Sequence, residues 1–154
     1  MNTMHQEGNA LIYENDGELL RLEPWGKNSL RVRSVMQGTI CDTDYALLPL
    51  SENDKATLPS ISISEYEASI TNGKITARIE VNSWNHKCIL SYYNQNGKLL
   101  LRETGDGGAL NKDSRRFRGI TGGAYSLHVS FCSAQNEKLF GMGQYQQDDL
   151  DHDT

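Results

Sequence analysis

Polar and apolar residues alternate one by one along much of the chain. Between Lys74 and Val81, the residues Ile75, Ala77, Ile79 and Val81 share one face, and Thr76, Arg78 and Glu80 share the other. Between Tyr125 and Phe131, Tyr125, Leu127, Val129 and Phe131 oppose Ser126, His128 and Ser130. In Leu30–Val35, Leu30 and Val32 oppose Arg31 and Arg33. A period of two belongs to a strand with one buried face. No window of helical length carries a 3.6-residue period. The nearest, Tyr45–Leu50, is short and meets Pro49.

Turn signals divide these runs. Asp16-Gly17, Asn72-Gly73, Asn96-Gly97 and Asp106-Gly107 are Asx-Gly pairs, which favour tight hairpin turns with positive φ at the central residues. The first lies between Leu11–Glu14 and Glu18–Glu23, the second between Ile61–Ile70 and Lys74–Val81, and the third between Cys88–Tyr93 and Lys98–Glu103. Two stretches read as loops: Pro49–Pro59, polar and bounded by prolines, and Thr104–Asp113, with three glycines. Eight to ten short strands joined mostly by hairpins predict an all-β fold, an antiparallel β-sandwich. Near the C-terminus, Lys138–Phe140 reads as a further strand that bends at Gly141 and Gly143 and leads into an amide-rich run.

A length of 154 residues suits one domain with a sizeable core. Residues 1–9 are polar, lack a signal-peptide core and are expected to be flexible; residues 10–147 form the sandwich, and 148–154 an acidic tail. The net charge of -5 argues against a nucleic-acid partner, which requires clustered positive charge. The one basic cluster, Lys112, Arg115, Arg116 and Arg118, has Asp113 within it and is expected to be a solvated loop and strand edge. No apolar run approaches a membrane span, so no membrane partner is expected. Cys41, Cys88 and Cys132 are odd in number and widely spaced, which fits neither a disulfide framework nor a zinc site and suits a reducing, cytoplasmic compartment.

Catalytic chemistry is not evident. No serine stands in a nucleophile-elbow pattern, and His5, His86, His128 and His152 are scattered without metal-ligand spacing. Asp148, Asp149, Asp151 and Asp153 lack the glycine and distant glutamate of a calcium loop. Gly141-Met142-Gly143 has no third glycine, lysine or following helix, so it is not a phosphate cradle. No catalytic residue, metal or cofactor is assigned. Aromatic residues remain, because rings stack on the C–H faces of sugars. Trp25 follows Pro24 and precedes Gly26, where it either plugs the end of the sandwich or meets a sugar; Trp84 lies in a polar turn and is expected to be exposed.

Four segments, in order, resemble a known family. They are Leu20–Arg33, the hairpins within Thr71–Ala77 and Leu90–Leu100, Phe117–Ile120, and Glu137-Lys138-Leu139-Phe140-Gly141-Met142-Gly143-Gln144. Together they are similar to the N-terminal domain of glycoside hydrolase family 31, the α-glucosidase and α-xylosidase family. The resemblance implies a galactose-mutarotase-like β-sandwich. It also implies that the two catalytic aspartates of such enzymes lie on a (β/α)₈ barrel beyond this domain, because retaining glycoside hydrolysis needs two carboxylates across the scissile bond. That barrel is the implied partner. Trp25, Trp84, Phe140, Met142, Gln144, Tyr145 and Gln146 are then the candidate contacts to a sugar or to the barrel. A free-standing oligosaccharide-binding module is the alternative, and self-association through the face left by the barrel is a further expectation.

Overall fold

The computed structural model describes residues 3–43, 47–48, 50, 58–105 and 112–133. Eleven strands occur among them and no helix. A first sheet holds β1 (Thr3–Glu7), β2 (Ala10–Asn15), β3 (Glu18–Pro24) and β4 (Leu30–Met36) in sequence order. A second holds β5 (Ser60–Ile63), β6 (Glu67–Asn72), β7 (Ile75–Val81), β8 (Cys88–Asn94) and β9 (Leu99–Arg102), again in order. The strands β10 (Arg115–Gly119) and β11 (Tyr125–Val129) form a separate hairpin. All pairings are antiparallel.

The Asx-Gly pairs work as turns in three different ways. Asp16 (φ 49°) and Gly17 (φ 83°) are both left-handed and form the two-residue turn between β2 and β3. At the second pair the turn is shifted by one residue. Asn72 pairs with Ile75, so Gly73 (φ 59°) and Lys74 are the turn residues and Asn72 belongs to the strand. At the third, Asn94 N–H donates to Lys98 O and Gly97 N–H to Asn94 O, closing a longer loop with Gly97 at φ 74°. Asp106-Gly107 lies outside the described residues.

Two expectations are corrected. Residues 1–9, expected to be flexible, contain β1, whose five residues each pair with β2 across Gly8. Its polar composition fits an edge strand, which needs no apolar face to be held by its ladder. The single run Ile61–Ile70 is two strands, because Ser64 turns the chain: its N–H and its hydroxyl both donate to Glu67 O.

The two large sheets face each other. Leu11, Tyr13, Leu20 and Leu22 of the first meet Ala68, Ile70, Ala77, Ile79, Val81, Cys88 and Leu90 of the second. This is an antiparallel β-sandwich. At one end the turns interlock: Asn72 Nδ2 donates to Gly26 O (2.8 Å) and Ser29 O (2.7 Å), and Lys74 N–H donates to Asn28 Oδ1 (3.0 Å). At the other end β9 continues past its last residue, where Glu103 bridges to Phe131 and so joins the β10–β11 hairpin to the second sheet.

Candidate functional site

The densest polar chemistry lies where the three sheets meet, around Arg115. Glu18 shares the inward face of β3 with Leu20 and Leu22. Arg115 is the first residue of β10, on the same face as Phe117. Its Nε donates to Glu18 Oε1 at 2.7 Å, its Nη1 donates to Glu103 Oε2, and its Nη2 lies 2.9 Å from Cys88 Sγ. One guanidinium thus ties β3, β8, the end of β9 and β10. Arg115 and Glu103 are 8% and 3% exposed, so these are buried charge-assisted bonds. Glu103 Oε2 also accepts from Leu90 N–H (3.0 Å) and Ser114 Oγ (3.3 Å), while Ser34 Oγ donates to Glu18 (2.9 Å).

Burial, opposed by Arg115, pushes the Cys88 thiol up to about 11. It is therefore a neutral thiol near pH 7, and a poor nucleophile or metal ligand. Desolvation opposes the charge on Arg115, but Cys88, Glu103 and Glu18 together hold it above the usual guanidinium range. Tyr13 donates its hydroxyl to His86 O, and its burial raises it well above an ordinary phenol. Tyr92, also desolvated, is pushed up to about 12. A cavity of about 490 Å³ opens beside this junction, with Glu18, Asn85, Lys87, Arg115 and Phe117 in its wall. Lys87 Nζ at its rim lies 3.6 Å from Asp113 and 3.8 Å from Asp16.

Glu18 and Glu103 converge on one spot, as two catalytic carboxylates would. The spot is filled by a guanidinium, and Glu103 is sealed from solvent. The pair works as a clamp rather than as an acid and a nucleophile. Among the described residues, no group of histidine, cysteine, aspartate and glutamate side chains is placed to hold a metal ion.

Sequence reasoning missed this junction. It read Arg115 as part of a solvated basic cluster, whereas the structure buries it between two glutamates. Strand parity carried the only signal, since Arg115 stands two residues before Phe117. Arg118 of the same cluster is exposed, as a strand edge allows.

Of the candidate contact residues, Trp25 and Trp84 fall within the described residues, on different turns. Trp25 is half-buried at the interlocked end of the sandwich, with the Arg31 guanidinium 4.0 Å from its ring centroid. That stack is a cation–π contact, so one face of the ring is already occupied. Arg31 is fixed in turn by Glu23, which accepts from Arg31 Nε (2.8 Å), Arg33 Nη2 (2.6 Å) and Arg21 Nε (3.2 Å). Desolvation would raise the Glu23 carboxyl, but the three arginines outweigh it and hold it below the usual range. Trp84 is 88% exposed, in a turn ordered by Asn82 Oδ1, which accepts from Trp84 N–H and Asn85 N–H. Phe140, Met142, Gln144, Tyr145 and Gln146 lie outside the described residues, as do the aspartates of the C-terminal tail. His128 is exposed and His86 half-buried.

No protein-family profile matches the chain. A curated protein does: it is 37% identical to an uncharacterized family 31 glucosidase, ORF2, of Pseudescherichia vulneris, over 98% of this chain and 30% of that protein. Among solved structures, the chain is similar to a GH31 alpha-xylosidase from a soil metagenome, crystallised with xylose. The TM-score is 0.77 and the identity 35%, over 97% of this chain and 23% of the xylosidase. The chain spans less than a third of the length of either relative.

Proposed function

Because the chain belongs to glycoside hydrolase family 31 and corresponds to the N-terminal domain of such an enzyme, we propose that it is a non-catalytic sandwich that packs on the catalytic part of its parent and helps to shape the sugar pocket. The observation that carries this reading is the pairing of near-complete coverage of this chain with coverage of only 30% and 23% of the two relatives. The chemistry of the described residues agrees. Glu18, Glu23 and Glu103 are all clamped by arginines, whereas a retaining glycosidase needs two carboxylates with a sugar between them. The parent on this reading is an α-glucosidase or α-xylosidase of the cytoplasm, where the three free cysteines suit a reducing medium. The test is hydrolysis of aryl α-glucosides and aryl α-xylosides by the pure chain. No turnover above a matched blank is expected, and robust turnover would overturn the proposal.

Trp84 favours a second reading, in which the isolated domain binds oligosaccharide. A tryptophan exposed to 88% presents a free ring face to a sugar. Calorimetry with millimolar oligosaccharide, repeated on Trp84→Ala, decides it. Heat that the substitution abolishes supports the reading, and no heat removes it.

A further inference from the structure

The alternation in β11 marks Tyr125, Leu127, Val129 and Phe131 as a face patterned for burial. Yet Tyr125 is 41% exposed, Leu127 43% and Phe131 45%. The face they form is the inward one. Phe131 bridges to Glu103, and Arg115 pairs with Val129, so the row continues the side of the second sheet that carries Glu103 and Arg115. Leu101 lies on the same side, opposite the half-buried Tyr92, and is 39% exposed. Over β6–β8 that side is roofed by the first sheet. Over β9 and the β10–β11 hairpin the described residues of the first sheet reach it only at its margin, where Arg115 meets Glu18 and the Tyr125 hydroxyl donates to Gln37 Oε1 (3.0 Å). Among the described residues, the second layer stops short of this half of the sandwich.

From this we infer that the inward face of β9–β11, with Leu101, Phe117, Tyr125, Leu127 and Phe131, is the docking surface for the remainder of the parent polypeptide, a deduction that rests on the reading of the chain as one domain of a longer enzyme. One observation selects this occupant. The relatives are three to four times as long as the part that this chain matches, so a parent of their length holds a partner large enough to supply a second layer. The face is apolar rather than charged, as permanent interfaces are. Phe117 on it also lines the cavity beside Arg115, so the surface has a recess next to its apolar row.

The test compares this chain with a chimera in which it replaces the matched region of the Pseudescherichia vulneris relative. Both carry Cys41→Ser and Cys132→Ser, which remove the exposed thiols, and then either Leu127→Cys or His128→Cys. His128 lies on the opposite face of the same strand and is exposed. Labelling of Leu127→Cys by a soluble maleimide is expected to be at least about tenfold slower in the chimera than in the isolated chain, by burial of the site, with His128→Cys unchanged. A folded chimera in which Leu127→Cys labels as fast as in the isolated chain overturns the face while leaving the domain reading intact. A chimera that does not fold overturns both. Equal protection of Leu127→Cys in the isolated chain gives the face a different occupant: residues 134–154 if the protection is independent of concentration, a second copy if it rises with concentration.

Discussion

Leu20 and Leu127 are both leucines at inward positions of alternating strands, yet Leu20 is fully buried and Leu127 is 43% exposed. The strands themselves are equally regular. What differs is the layer opposite. Leu20 belongs to the core cluster that includes Ile70, Ile79 and Leu90 of the facing sheet, and Leu127 lies outside that cluster. A period of two reports which side of a strand is meant to be buried, not whether the burying layer is on the same piece of chain. The closed region of this molecule holds itself together, and the open region is patterned for a neighbour.

The largest effects should come from the hinge between the two regions. Arg115→Ala leaves Glu18 and Glu103 without a cation, and Glu103 is 3% exposed. Removing one member of a buried ion-pair set costs about 3–5 kcal/mol. Urea unfolding should show a midpoint lowered accordingly. A loss below about 1 kcal/mol would mean that solvent reaches the junction and that the hairpin is not anchored there. In the closed region, Leu20→Ala should cost about 2–5 kcal/mol through lost contact and a residual cavity. A smaller loss would blur the contrast with Leu127.

The interlocked turns supply a second contrast. Gly73 and Gly97 both have positive φ, so alanine strains either by about 1–2 kcal/mol. A methyl group on Gly73 would also stand 2.2 Å from Lys27 O and 2.4 Å from Asn28 Oδ1, whereas Gly97 has nothing within 4 Å. Gly73→Ala should therefore be the more damaging substitution by thermal melting. Equal losses at the two glycines would show that the Lys27-Asn28 turn yields easily.

The strands and their hairpins were legible in the sequence because alternation and Asx-Gly pairs are local signals. The division of Ile61–Ile70 was not, since Ser64-Glu65-Tyr66 interrupts the run without a glycine or proline. Nor was β1, whose polar edge has no apolar face to reveal it. The Arg115 junction escaped for a different reason. Its three partners come from positions 18, 88 and 103, and only the stacking of sheets brings them together. Four basic residues and one acidic residue between positions 112 and 118 read as a solvated loop and strand edge until Arg115 is seen turned inward. Of the candidate contacts, the exposure of Trp84 could be anticipated from its polar turn. The stacking of Arg31 on Trp25 could be anticipated only from the pairing of β3 with β4.

The junction also makes stability sensitive to alkali. Cys88 is raised from 9.0 to about 11 and Tyr92 from 10.0 to about 12, first by burial in each case. A raised acid holds its proton in the folded state after the unfolded chain has released it. Stability is then intact below about pH 9, falls as pH rises through the interval between unfolded and folded values, and is fully lost from these groups above about pH 12. Urea midpoints measured from pH 8 to pH 12 should decline across that interval. A flat profile to pH 11 would show that the thiol is not desolvated and that the cavity admits water to it.

The smallest effect on folding is expected at the open face, and it completes the comparison. Leu127→Ser removes an apolar side chain that is 43% exposed and outside the core cluster of the described residues, so the isolated chain should change in stability by no more than about 0.5 kcal/mol, as surface substitutions do. Its solution behaviour should change more. An uncovered row of Leu101, Tyr125, Leu127 and Phe131 is an apolar patch of the kind that drives association, and serine interrupts its middle. Light scattering at rising concentration should show the unmodified chain growing in apparent mass and the Leu127→Ser chain growing less. A loss of stability approaching that of Leu20→Ala would place Leu127 in a closed core, and the open half of the sandwich would then be covered by the chain itself.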